Sequence, residues 1–207
     1  MYVDKPLHLY LDDLASAQAT PGGGSASALS GALGAGLASM VARLTLGKKG
    51  YEEVQPEIAT LVEQTEALRA RFQQLIQEDI EAYGRLSTCF KMPRTTDEEK
   101  AARTEAIQGR LAEAAHVPLE VAEKAAELLR HCQRIAEIGN KTVLSDIATG
   151  TMLASSAGTG ASWMVQTNLS ALKDLALVEQ LNTRLNVALD SIAECSQQVV
   201  TVVEEKV

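Results

Sequence analysis

Pro21-Gly22-Gly23-Gly24-Ser25-Ala26-Ser27-Ala28-Leu29-Ser30-Gly31-Ala32-Leu33-Gly34-Ala35-Gly36-Leu37-Ala38-Ser39-Met40-Val41-Ala42-Arg43 decides the fold. A breaker run is followed by a long stretch of small apolar residues with no alternation of period two. That pattern specifies a buried helix and not a strand. Ser27, Gly31, Ala35 and Ser39 recur every four residues and form a ridge low enough for neighbouring helices to approach closely. Ser25 reads as the N-cap, with the helix running to about Leu46 and stopped by Gly47. The stretch is apolar enough to raise a membrane span, but its serines and glycines make it small rather than greasy, and a core helix is expected.

The rest of the chain follows suit. Leu7, Leu11 and Leu14 suggest a short first helix. Ile58, Thr65, Leu68, Phe72, Leu75, Asp79, Tyr83 and Leu86 form one stripe of a helix from about Pro56 to Phe90. Thr96-x-x-Glu99 is a capping box opening the next helix, in which Pro118 is expected to force a kink or a restart. Gly139-Asn140 reads as a C-cap, Ser145 as the cap of a helix interrupted near Gly158 and Gly160, and a final amphipathic helix covers about Leu175 to Val203.

Composition agrees. Of 207 residues, 46% are hydrophobic but only 3% aromatic, so the core must come from Ala, Leu, Val and Ile. The expectation is all-α: one domain over residues 1–207, a bundle of about six to eight helices with long small-residue helices. A net charge of −8 excludes a general nucleic-acid binder. Three widely spaced cysteines without a Cys-x-x-Cys read as reduced thiols, and the N-terminus lacks a signal-peptide pattern, so a cytoplasmic protein without a membrane partner is expected.

Several residues suggest chemistry. Gly22-Gly23-Gly24 exposes backbone N–H groups where a helix dipole begins, which suits an anion, an oxyanion or merely a flexible turn. Asp79 lies mid-stripe; a carboxylate there is either hydrogen-bonded across a helix interface or used, with its pKa raised by burial. Lys48 and Lys49, then Lys91, Arg94 and Arg103, form local basic sites on an acidic chain. Glu113-x-x-His116 matches half of a di-iron motif whose second half is missing, so no metal is expected.

Read together, these segments resemble the cyclodeaminase/cyclohydrolase family of folate enzymes. The matching pieces are Pro21-Gly22-Gly23-Gly24-Ser25, Leu44-Thr45-Leu46-Gly47-Lys48-Lys49, Asp79-Ile80-Glu81-Ala82-Tyr83, Met92-Pro93-Arg94-Thr95 with Glu98-Glu99-Lys100 and Arg103, Val117-Pro118-Leu119, Gly139-Asn140, Ser145-Asp146 and Asn168-Leu169. They run in order over nearly the whole chain, as in a free-standing form of the domain. The resemblance implies a homodimer, without a cofactor, acting on a tetrahydrofolate that carries a polyglutamate tail. The expected reaction is cyclodeamination: N10 of 5-formimino-tetrahydrofolate attacks the formimino carbon and ammonia leaves, giving 5,10-methenyl-tetrahydrofolate. The alternative is cyclohydrolase chemistry, in which water opens the methenyl ring to 10-formyl-tetrahydrofolate. Asp79 occupies the family's acid/base position. The resemblance places Gly22, Gly23, Gly24 and Ser25 at the pocket and makes Asn140, Asp146 and Asn168 pterin contacts. Charge assigns Lys48, Lys49, Arg94 and Arg103 to the folate tail. One departure stands out: Met164 replaces an Asn that the family often carries four positions before Asn168. A competing reading is a non-catalytic helical dimerising module, and a cavity holding Asp79 and the glycine loop together discriminates against it.

Overall fold

The computed structural model describes residues 1–206, and among them it contains helices and no strands. The helices are α1 (Leu7–Leu14), α2 (Gly23–Arg43), α3 (Gln55–Phe90), α4 (Asp97–Ile138), α5 (Leu144–Ser170) and α6 (Leu175–Lys206), joined by three short 3-10 turns. The all-α expectation holds, with six α-helices.

α2 is the central helix, with α3 on one side, α5 on the other and α4 behind. Length and composition alone would let it cross a bilayer, but here most of it is buried by its neighbours. Its small ridge performs the expected packing. Gly31 faces the Phe72 ring so closely that an added Cβ would lie 2.6 Å from Cε1, and Ala35 is fully buried. Ser30 Oγ donates to the Leu153 carbonyl at 2.8 Å, and Ser39 Oγ to Glu66 Oε1 at 2.7 Å. These contacts run α2 antiparallel to both α3 and α5, so the N-terminal end of α2 meets the middle of α3 and the C-terminal end of α5.

The Thr96–Glu99 capping box forms at the start of α4 and opens a helix with three acidic residues in its first turn, favourable to the dipole. Lys206 Nζ closes the other end of α4 by donating to the carbonyls of Ala136 and Glu137. The three cysteines are buried and unpaired. Burial pushes the Cys132 thiol up to about 12, which makes it inert.

Four expectations need correction. α2 begins at Gly23 with Gly22 as N-cap, so Ser25 stands inside the first turn and is not the cap. The helix ends at Arg43, short of Leu46. α5 is continuous through Gly158 and Gly160 because both accept close neighbours, Ile192 and Ser27 respectively; it starts at Leu144, ahead of Ser145. The restart expected at Pro118 does not occur, and α4 is one helix through it. A proline lacks the N–H that would bond the carbonyl four residues earlier. That carbonyl belongs to Ala114, and the Asn168 side chain donates to it at 3.1 Å.

On α1 the buried face is also not the one the leucines suggest. Tyr10 is 3% exposed, whereas Leu7 and Leu11 are 60% and 49% exposed.

Candidate active site

Because α2 is antiparallel to α3, the glycine loop is carried onto the middle of α3, where Asp79 lies. A Cβ on Gly24 would fall inside the Asp79 carboxyl group, so only glycine lets the backbone come this near. The pocket so formed has a volume of about 180 Å3. Gly22, Gly23, Gly24, Asp79, Tyr83, Met164, Thr167 and Asn168 make its principal walls, with Ala19, Thr20, Ala82 and Ala114 between them. The cavity that discriminates against a scaffold without chemistry is therefore present.

Asp79 is half-buried. Desolvation pushes its carboxyl up to about 6, opposed by a hydrogen bond from the backbone N–H of Ser25. An exposed Asp would be a weak base at neutral pH. This one titrates close to the range in which a single group both takes and returns a proton efficiently. Its nearest fixed donors are first-turn N–H groups of α2, which helical bonding leaves free and the dipole makes positive.

Ser25 itself is fully buried and does not line the pocket. Its Oγ donates to the Gly22 carbonyl at 3.0 Å and shares a 3.0 Å hydrogen bond with the Tyr10 hydroxyl. Tyr10, which the sequence did not single out, thereby anchors the glycine turn from behind. Burial raises its pKa against the lowering effect of Ser25, and the nearby Asp79 charge adds to the rise.

Tyr83, placed by sequence on the buried stripe, is 40% exposed and stands at the pocket wall one turn after Asp79. Met164 presses its Sδ to within 3.2 Å of where a Gly23 Cβ would sit. A thioether in that position supplies no strong hydrogen bond and helps keep the carboxyl desolvated.

Asn168 lines the pocket, but one N–H of its amide is spent on the Ala114 carbonyl that Pro118 leaves open. Its oxygen and the second N–H of the amide are left for a ligand. Asn168→Ala is expected to destabilise the protein by about 1–3 kcal/mol, the cost of orphaning a buried carbonyl, as measured by urea unfolding. The drop should be largely relieved in a Pro118→Ala background, where the backbone amide returns.

The other expected site residues lie elsewhere. Asn140 is a buried clamp at the opposite end of the bundle. Its N–H donates to Thr45 Oγ1 at 2.9 Å, its side-chain amide to the Leu44 carbonyl, and its Oδ1 accepts from the backbone N–H and hydroxyl of Thr142. Asp146 is in the first turn of α5 at that same end. Lys48 and Lys49 are exposed in the loop after α2, about 30 Å along that helix from the pocket. Arg94 and Arg103 are at the pocket's own end, on the α3–α4 hairpin that projects about 16 Å past Asp79. Arg103 donates to the Phe90 carbonyl there, and its Nε is buried without a partner. Glu113 pairs with Arg110 and Arg85.

The comparisons with known proteins agree with this geometry. The family model described as formiminotransferase-cyclodeaminase matches residues 6–187. The chain is 36% identical over 204 residues to a methenyltetrahydrofolate cyclohydrolase of Methylorubrum extorquens, covering 99% of this chain and 98% of that protein. It is 32% identical over 184 residues to the formimidoyltransferase-cyclodeaminase of Rattus norvegicus, 89% of this chain but 34% of that longer protein. A crystal structure of formiminotetrahydrofolate cyclodeaminase from Thermotoga maritima superposes with a TM-score of 0.90 at 29% identity, covering 99% of this chain and 98% of that one.

Proposed function

The chain belongs to the formiminotransferase-cyclodeaminase family, and on that premise we propose that it is a folate one-carbon enzyme whose acid/base group is Asp79. The observation that carries the reading is a carboxyl pushed up to about 6 beside the free N–H groups of a helix N-terminus, in a pocket of its own. In cyclodeamination N10 attacks the formimino carbon of 5-formimino-tetrahydrofolate. The Asp79 carboxylate takes the N10 proton and returns it to the departing nitrogen, which leaves as ammonia. The Gly22–Gly24 turn offers donors to charge developing at the reacting centre, and the Asn168 oxygen faces the pterin edge.

Cyclohydrolase chemistry is the second reading, favoured by the full-length similarity to the Methylorubrum extorquens protein. There Asp79 would deprotonate the attacking water. The pocket's lining contains no cation, so the tail carboxylates of a polyglutamylated folate must be met outside it. Arg94 and Arg103, on the projecting hairpin, are this chain's own candidates.

The partner of the intact protein is proposed to be a second copy. α2 presents an outer stripe from Leu29 through Leu33 to Met40, which with α1 borders an apolar groove of about 680 Å3. Apolar surface this extensive marks an association face.

Two assays test the reading. Purified protein with 5-formimino-tetrahydrofolate should build the near-ultraviolet absorbance of methenyl-tetrahydrofolate and release ammonia; with methenyl-tetrahydrofolate, decay of that absorbance selects the hydrolase. Either way kcat/KM should fall tenfold per pH unit below about 6, because the reaction starts from the Asp79 carboxylate. Silence in both assays, or a profile flat through pH 6, rejects the assignment.

A further inference from the structure

Two buried hydroxyls stand behind the glycine turn and take no part in the proton transfer itself: Tyr10 of α1 and Ser25 of α2. Their hydrogen bonds have one consistent direction. The Ser25 hydroxyl gives its single proton to the Gly22 carbonyl at 3.0 Å. The 3.0 Å contact between the two hydroxyls therefore has Tyr10 as its donor. The Gly22 carbonyl also accepts the Ala26 N–H at 3.0 Å, so both of its lone pairs are engaged. The chain runs from Tyr10 through Ser25 to that one carbonyl and ends there.

The orientation of the carbonyl decides which way the turn faces. The peptide joining Gly22 to Gly23 is planar and trans, so its C=O and N–H point in opposite directions. With the carbonyl held down the helix, the Gly23 N–H points out of the helix end, where Gly22, Gly23 and Gly24 line the pocket. As a first-turn donor it has no helical acceptor, and it has no other among the described residues. Glycine makes this arrangement insecure. A half-turn of the peptide would give Gly23 a positive φ, which a glycine adopts at no steric cost. The flipped peptide would present an oxygen to the pocket beside the Asp79 carboxyl, in place of a donor.

We propose that Tyr10 and Ser25 are positioning residues that lock the Gly22–Gly23 peptide, so that the Gly23 N–H is the donor to the reacting centre. This rests on the folate reading above. As N10 bonds to the formimino carbon, the C=N π pair moves onto the formimino nitrogen. That localised pair accepts from the Gly23 N–H until Asp79 delivers the proton and ammonia leaves. In hydrolysis the same N–H would hold the oxygen that water brings to the methenyl carbon once Asp79 has taken its proton. The contact strengthens only as the carbon becomes tetrahedral, so it raises kcat and leaves KM nearly unchanged.

Tyr10→Phe removes one hydroxyl and no charge, because burial keeps the phenol protonated at neutral pH. It should lower kcat about tenfold with KM little changed, part of the roughly 10²–10³-fold that a whole donor is worth. Ser25→Ala cuts both side-chain hydrogen bonds and should lower kcat about 10²-fold. Tyr10 acts only through Ser25, so the double variant should be no slower than Ser25→Ala alone. The pH of half-maximal kcat/KM should stay near 6 in all three, because the Ser25 backbone N–H that faces Asp79 is kept. Tyr2→Phe is the control for a tyrosine hydroxyl lost nearby. It gives up a 2.7 Å hydrogen bond to Asp13 and should keep the wild-type kcat. A Tyr10→Phe enzyme with wild-type kcat, whatever its stability, overturns the proposal. Single effects that multiply in the double variant do so too, as does a half-maximal pH that moves with the loss of rate. Should Ser25→Ala fail to fold, kcat of Tyr10→Phe against Tyr2→Phe decides. Failure of the folate reading is separate: it shows as a folded wild type that turns over neither folate.

Discussion

Asp79→Asn is expected to lower kcat by about 10³-fold, within the range that a positioned acid/base group supplies, and to make the protein more stable at pH 8. The second effect separates a working carboxylate from a structural one. In the unfolded chain Asp79 titrates at its ordinary value of 3.8; in the fold desolvation pushes it up to about 6. The folded state therefore binds the proton more tightly. Its stability is highest below 3.8, where the group is neutral in both states, falls as the pH rises from 3.8 to 6, and stays at the lower level above. The gap corresponds to at most about 3 kcal/mol, and water entering the partly open pocket reduces it to about 1–2 kcal/mol. Asn is neutral throughout and escapes the penalty. Urea midpoints should show Asp79→Asn above wild type at pH 8 and level with it near pH 4. If Asp79 were instead a satisfied structural carboxylate, its loss would destabilise at pH 8, and the sign of the difference would reverse.

Much of this site was legible in the sequence because its parts depend on local rules. A carboxylate seven residues from Phe72 and from Leu86 must face their side of the helix, whatever packs there. Three glycines before an apolar helix leave donors free wherever that helix goes. The Thr96–Glu99 box closes on itself and formed as expected. What could not be read was which segments the tertiary packing would bring together. Ser25 has the right chemistry for an N-cap, but the helix starts two residues earlier and turns its hydroxyl inward to Tyr10. Asn140 has the right edge for a pterin, yet it is consumed in tying Leu44 and Thr45 to the start of the turn before α5. Pro118 should break a helix on propensity alone. It is tolerated because Asn168, fifty residues later, reaches the carbonyl it leaves open. Each correction is a long-range contact overriding a sound local preference.

Gly24→Ala should cost more in activity than in stability, and that imbalance is the second strong test. A methyl group at Gly24 would lie within 2.8 Å of all three heavy atoms of the Asp79 carboxyl, so the two cannot coexist as they stand. The obstacle is the free end of a short side chain, which turns away at little cost. Alanine also favours the helix by about 1 kcal/mol over glycine, which offsets part of the strain. The carboxylate, however, loses its alignment with the Ser25 N–H and with the reacting nitrogen, and a displacement of about 1 Å is enough for a 10²-fold loss. Gly31→Ala supplies the contrast. Its methyl would meet Cε1, Cδ1 and Cζ of Phe72 at 2.6–2.8 Å, and that ring is fully buried and has nowhere to turn. This variant should lose about 1–3 kcal/mol of stability by overpacking with kcat little changed in the folded fraction. A double-mutant cycle closes the argument. In an Asp79→Ala background the obstruction at Gly24 is gone, and Gly24→Ala should become stabilising by about 1 kcal/mol. If Gly24→Ala has the same effect on stability with and without the Asp79 carboxyl, the two groups do not share the pocket and the site must be redrawn.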